Sequence, residues 1–196
     1  LPHMSCFDDS NEFLDNYFKE EKVNILGFSL GGYVSSYFAC KYSHRVNKLF
    51  ILAASAGTLQ EEEIQKRNKA LALLDNFGFK GLSHKKVVSL LEKDNQEDEN
   101  LIQLIQKMYV DLGEDIFRTQ MASTLNRENL LSQMTELDVP MNFMYADADR
   151  LVNTKWIEEF STINKSATFE KISSTSHMLP LERPLEVSKA IKRWLG

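Results

Sequence analysis

The 196-residue sequence has only two cysteines, Cys6 and Cys40, too few for the disulfide framework of a small secreted domain. It has no excess of basic charge. Lys and Arg number 23 against 28 Asp and Glu, a net charge of −5, so it offers no basic surface to nucleic acid. It has no apolar run long enough to span a bilayer and no signal-peptide pattern at its start. No internal repeat or low-complexity linker divides it. These absences lead us to expect a cytoplasmic protein with no membrane or nucleic-acid partner, and they leave a homo-oligomer open. Cys40 lies within an apolar helical pattern and reads as a reduced, buried thiol.

What remains is 43% hydrophobic and 26% charged, ordinary for a globular protein and enough for one sizeable core. Val23 to Leu26 and Val46 to Ala54 are short apolar runs that read as buried strands. Between them, Leu30 to Tyr42 reads as a helix, and Asn11 to Glu20 before them has helical spacing. This strand–helix–strand unit predicts a parallel pair. Later strand patterns at Met141 to Tyr145 and Thr168 to Ile172 fit the same sheet. Trp156 to Phe160 and Pro184 to Leu195 read as helices.

From Gly57 to about Asp138 helical patterns dominate, at Glu61 to Phe77, Lys85 to Lys93, Asn100 to Leu112 and Asp115 to Leu125, with a short turn near Leu130. A crossover between parallel strands needs only a dozen or more residues. The excess predicts an inserted helical subdomain. The expected organisation is a core of residues 1–56 and 136–196 with a helical cap over 57–135.

Val23-Asn24-Ile25-Leu26-Gly27-Phe28-Ser29-Leu30-Gly31-Gly32 is the most informative segment. It places Gly-x-Ser-x-Gly between a predicted strand and a predicted helix, the context that motif requires. A serine at the tip of so tight a turn sits in a strained backbone conformation, and the residues two away, Gly27 and Gly31, must be small. The turn aims the helix N-terminus at the hydroxyl, and the N–H of Leu30 becomes a candidate oxyanion donor. A phosphate-binding loop is excluded, because no Lys-Ser or Lys-Thr follows the glycines.

A serine needs a base, and the base needs an acid to hold its tautomer. His3, His44 and His84 lie in irregular, charged or inserted segments. His177 follows a predicted strand and precedes the closing helix, where a strand-end loop can reach Ser29. Asp147 and Asp149 both follow the strand at Met141, and periodicity does not separate them. One should orient the histidine and the other cap the turn or the helix beginning near Thr154. The order Ser, Asp, His differs from those of chymotrypsin and subtilisin.

With these residues in view, the sequence resembles the α/β-hydrolase superfamily over nearly its whole length from about Asp15. Gly27-Phe28-Ser29-Leu30-Gly31-Gly32 is similar to the family's nucleophile elbow. Ala146-Asp147-Ala148-Asp149-Arg150-Leu151-Val152 resembles its acid segment, which implies Asp149 as the acid. Ser176-His177-Met178 with Glu182-Arg183-Pro184 resembles its histidine block, which implies His177 as the base. Two small departures are Ala146 and Ser176, where the family has glycine.

The insertion resembles the helical caps of small bacterial hydrolases related to lactonases, esterases and thioesterase-like enzymes. Lys66-Arg67, Gly78-Phe79-Lys80-Gly81, Gln120-Met121-Ala122 and Asn126-Arg127 carry that likeness.

Family members have further strands and a loop before the nucleophile strand, and that loop supplies a second oxyanion donor. Here some twenty residues precede Val23, and Leu1 stands in place of an initiator methionine. A truncated chain with an exposed sheet edge is therefore expected. Leu1-Pro2-His3-Met4-Ser5-Cys6 faintly resembles either that loop or the one preceding the nucleophile helix pair, and cannot provide the missing strands.

The resemblance implies an α/β fold with a mostly parallel sheet flanked by helices. It implies a serine hydrolase acting on a carboxylic ester, thioester or lactone of a small apolar acid, with no metal and no cofactor. Ser29, His177 and Asp149 would form the triad, with Leu30 at the oxyanion. Phe77, Phe79, Met108, Tyr109, Phe117 and Met121 would shape an acyl pocket. The alternatives are a non-catalytic binding protein on the same fold, or lyase or haloperoxidase chemistry on the same triad.

Overall fold

Each predicted apolar run forms a strand in the computed structural model, which describes residues 6–196. In chain order the elements are α1 (Phe7–Tyr17), β1 (Val23–Phe28), α2 (Leu30–Lys41) and β2 (Val46–Leu52). Five helices follow: α3 (Glu61–Phe77), α4 (His84–Val88), α5 (Glu99–Leu112), α6 (Glu114–Thr124) and α7 (Leu131–Thr135). The chain then returns through β3 (Met141–Ala146), α8 (Thr154–Ile163), β4 (Thr168–Ile172), α9 (Leu179–Glu182) and α10 (Pro184–Leu195).

The four strands form one sheet in sequence order, every pair parallel. Gly27 lies beside Ile51, and Ile51 beside Phe143. Successive side chains of a strand face opposite sides, and β2 shows the consequence. Ile51 faces α2, where its Cγ2 lies in the space a Cβ on Gly32 would approach to 3.4 Å. Phe50 faces the other way and meets the Trp194 ring of α10 edge-on at 5.5 Å. Leu49, Phe50 and Ile51 are wholly buried, as a strand covered on both faces requires. On the α2 face, Phe143 packs between Phe160 of α8 at 5.5 Å and Phe169 of β4 at 5.2 Å.

β1 is an edge strand with no neighbour on its outer side among the described residues, and its Leu26 is 38% exposed. No helix among the described residues is long and apolar enough to cross a membrane.

Boundaries depart from the sequence patterns where a tertiary contact takes over. α1 starts at Phe7 rather than Asn11, because Phe7 is buried against Tyr33 with ring centroids 4.7 Å apart. β2 stops at Leu52 rather than Ala54, because Ala53 turns to a φ of 48° and donates its N–H to the Met144 carbonyl. The pattern over Lys85 to Lys93 yields only the short α4. Beyond it, the Leu90 carbonyl leaves the helical path to accept the N–H of His177 at 2.8 Å.

The helices between β2 and β3 divide by what they bury. Val87, Leu90, Leu91, Ile102 and Ile105, from α4, α5 and the turn after α4, cluster with Met178. Leu130 and Met134 at α7 instead join the main core under the sheet. The second cluster meets β1 through Phe28, so it sits above the strand ends.

Candidate active site

Ser29 sits between the last residue of β1 and the first of α2, at φ 52° and ψ −118°. That is a left-handed conformation unfavourable for a residue with a Cβ, and such strain persists only where surrounding bonds impose it. Here the Ser29 N–H donates to the Leu52 carbonyl at 2.9 Å, and the Ser29 carbonyl accepts the N–H of Gly32 at 2.9 Å. The turn is pinned to the end of β2 on one side and to α2 on the other.

The flanking glycines are not equivalent. A Cβ on Gly27 would lie 2.1 Å from the Gly31 carbonyl oxygen and 2.4 Å from Ser35 Oγ, whereas one on Gly31 would meet nothing within 4 Å. Gly32 is the second crowded position, its Cβ falling 2.6 Å from that of Ala54. The expectation that both Gly27 and Gly31 must be small therefore holds for Gly27 alone. Sequence symmetry about the serine does not survive in space, because Gly27 on β1 packs against the Gly31 carbonyl and Ser35 of α2, whereas Gly31, on α2 itself, points at open space.

The hydroxyl of Ser29 lies 2.8 Å from His177 Nε2, and His177 Nδ1 lies 2.7 Å from Asp149 Oδ2. These three predicted residues, far apart in sequence, form one hydrogen-bonded chain. The Asp149 side chain is only 1% exposed and that of His177 only 9%. A carboxylate so buried needs its lone pairs filled. Asp149 Oδ1 accepts the Leu151 N–H at 2.8 Å, which fixes the carboxylate plane while Oδ2 faces the imidazole.

The structure also separates the two aspartates that periodicity left equivalent. Asp147 is exposed and accepts the Ser174 N–H at 3.1 Å, capping the turn that leads to His177. The cap of α8 is neither of them but Asn153, whose side chain accepts the Trp156 N–H. His44 and His84 are exposed, the latter beside Glu99. His3 lies outside the described residues, as does all but Cys6 of the segment Leu1 to Cys6 whose likeness to an oxyanion loop was noted.

The loop carrying His177 is clamped from the inserted helices, which sequence reasoning did not foresee. Its N–H is held by the Leu90 carbonyl. The neighbouring Ser176 is wholly buried and donates its hydroxyl to Glu182. Glu182 in turn accepts the Glu92 N–H and the Asn95 side-chain amide, both at 2.9 Å. Arg183 closes the cluster on Glu92 at 2.8 Å. One short helix, α9, thus ties the histidine loop to the segment after α4.

Leu30 is the first residue of α2, so its N–H has no acceptor within the helix and stays available at the positive end of the helix dipole. Ser29, Leu30 and His177 open onto a cavity of about 770 Å³ bounded on its far side by α3, α5 and α6. Of the six apolar side chains expected there, Phe77, Phe79, Tyr109, Phe117 and Met121 line it. Met108 does not. It is 47% exposed, whereas Ile102 and Ile105 of the same helix are buried.

Arg67 and Arg127 also line the cavity. Arg67 pairs with Glu63 at 3.2 Å and donates to Thr124 Oγ1 at 2.6 Å. The Arg127 guanidinium stacks over the Tyr33 ring, 4.2 Å from its centroid, and donates to the Ser55 carbonyl at 2.7 Å. Burial pulls the Arg127 pKa down to about 10. Among the described residues no cluster of His, Cys, Asp and Glu converges as metal ligands would.

The profile of the family described as serine aminopeptidase, S33, matches residues 4–184. The chain belongs to this hydrolase family. The solved structures similar to this S33-family chain have the same fold. A thermophilic esterase from Thermogutta terrifontis is 20% identical, with a TM-score of 0.81 over 100% of this chain and 74% of its own. A carboxylesterase of the thaumarchaeon Nitrososphaera gargenis is 15% identical, with a TM-score of 0.84 over 99% and 73%. The enol-lactonase from Burkholderia xenovorans LB400 is 16% identical, with a TM-score of 0.83 over 97% and 73%. No curated protein sequence matches the chain. The fold is that of an α/β-hydrolase, as the sequence led us to expect.

Proposed function

We propose that this protein is a serine hydrolase that cleaves a carboxylic ester, thioester or lactone through an acyl-enzyme. The observation that carries the reading is the unbroken hydrogen-bonded chain from Ser29 Oγ through His177 to the buried Asp149.

In the first half-reaction Ser29 Oγ bonds to the substrate carbonyl carbon while His177 Nε2 takes the hydroxyl proton. Asp149 holds Nδ1–H, fixes the tautomer and stabilises the imidazolium. The Leu30 N–H donates to the carbonyl oxygen as it gains charge. The bond from carbon to the leaving oxygen or sulfur then breaks, and His177 returns its proton to the departing alcohol or thiol. In the second half-reaction water attacks the acyl-serine, His177 takes its proton and then protonates Ser29, and the acid is released. The helices α3 to α6 act as a cap, and the aromatic side chains they place over Ser29 receive the acyl chain.

Two measurements test this. The protein should hydrolyse short-chain esters and be labelled by a fluorophosphonate, which reacts only with an activated serine. Ser29→Ala should abolish both. Ester hydrolysis retained in Ser29→Ala would sink the assignment.

A further inference from the structure

The protein carries a net charge of −5, yet its cavity is basic. Five Lys and Arg side chains line it, Lys66, Arg67, Lys80, Lys86 and Arg127, against one carboxylate, Glu63. The three lysines are exposed at the rim, while the two arginines stand deeper. A concave wall of one sign concentrates ligands of the other.

Inside, the charges do not balance. Glu63 pairs with Arg67, and Arg127 has no carboxylate partner among the described residues. Its contacts are one backbone carbonyl and one aromatic face, and its buried Nε has no hydrogen-bond partner. A buried guanidinium without an anion is costly unless something else compensates it. Arg67, Arg127 and Glu63 together leave one positive charge, which a single monoanion would neutralise. The site is also close to the chemistry. Arg127 is anchored to Ser55, just beyond Leu52, whose carbonyl holds the Ser29 N–H.

Resting on the hydrolase reading, we propose that the substrate's acyl chain ends in a carboxylate bound by Arg127 with Arg67, so that the enzyme prefers half-esters of dicarboxylic acids, or the corresponding lactones, to neutral esters. A carboxylate fits this charge count better than a phosphate, which brings more than one negative charge, and a planar fork of donors suits it. The rim lysines steer it in, and the aromatic wall takes the methylenes.

The test compares monomethyl glutarate with methyl pentanoate, the same acyl chain with and without the terminal carboxylate. A charge-assisted contact predicts a kcat/KM ratio about 10- to 100-fold in favour of the half-ester. The ratio should fall at least about tenfold in Arg127→Gln, and Arg127→Lys should retain part of it. Monomethyl glutarate, a monoanion that the Ser29→Ala protein cannot turn over, should also raise that protein's melting temperature, whereas inorganic phosphate should not.

Equal or inverted ratios in the wild-type protein would overturn the proposal and leave the hydrolase reading intact. Stabilisation by monomethyl glutarate without hydrolysis of either ester would sustain the anion site and sink the hydrolase reading. Stabilisation by phosphate but not monomethyl glutarate would overturn the carboxylate assignment, and no response in either assay would overturn both. If Arg127→Gln fails to fold, the wild-type ratio and Arg67→Gln decide the matter.

Discussion

Replacing Gly27 and Gly31 by alanine, one at a time, probes the turn that presents Ser29. Both glycines stand two residues from the serine, and neither has a positive φ, so alanine carries no backbone penalty at either site. Space alone distinguishes them. At Gly27 the new methyl would start 2.1 Å from the Gly31 carbonyl oxygen and 2.4 Å from Ser35 Oγ. The serine hydroxyl can rotate aside, but the carbonyl belongs to the backbone of α2. Ordinary contact begins at 3.4 Å, so β1 and α2 must part by more than about 1 Å.

Overpacking of this kind costs about 1–3 kcal/mol or more. A displacement of about 1 Å at the nucleophile costs on the order of 100-fold in rate. At Gly31 the methyl meets open space, and alanine in a helix gains up to about 1 kcal/mol over glycine. Gly27→Ala should therefore lose about 2 kcal/mol or more in denaturant unfolding and label with fluorophosphonate at least about 100-fold more slowly. Gly31→Ala should unfold at or above the wild-type midpoint. Equal effects of the two substitutions on stability would refute the reasoning, since it rests wholly on their different surroundings.

Asp149→Asn should lower kcat by about four orders of magnitude, because an amide favours the wrong imidazole tautomer. Asp147→Asn should change it less than about threefold, a difference steady-state kinetics will resolve. Glu182→Gln weakens the charge-assisted bonds that hold the Ser176 hydroxyl and the Glu92 N–H. It should cost about 1–3 kcal/mol of stability and slow fluorophosphonate labelling, since His177 follows Ser176 directly. Burial pushes the Cys40 thiol up to about 12. At pH 8 only about one molecule in 10⁴ carries the thiolate that reacts. Iodoacetamide should accordingly modify the exposed Cys6 in the native protein, and Cys40 only after unfolding, as peptide mass mapping would reveal.

The local patterns of the sequence determined the elements that place the chemistry. Strand β1, the glycines and α2 are contiguous, so their periodicities and the turn between them could be read directly, and Ser29 with them. His177 was legible for the same reason, as the only histidine between a strand pattern and a closing helix. Asp149 was less so. A period of two cannot distinguish residues two apart, and only the resemblance singled it out. The tertiary structure adds the physical difference, one carboxylate buried against the imidazole and the other exposed on a turn.

What lay outside the reach of the sequence is whatever depends on segments meeting across the cavity. The clamp of Leu90, Glu182 and Asn95 on the histidine loop joins residues from different elements and has no periodicity to betray it. Met108 shared the apolar pattern of its helix, yet the packing of Ile102 and Ile105 turned it to solvent. Arg67 and Arg127 entered the sequence reading only through the likeness of the cap, because composition counts charges without their neighbours. Folding brings two guanidinium groups to one carboxylate inside a cavity. Burial, which no local pattern encodes, leaves Arg127 without a carboxylate partner among the described residues in the cavity that Ser29 opens onto.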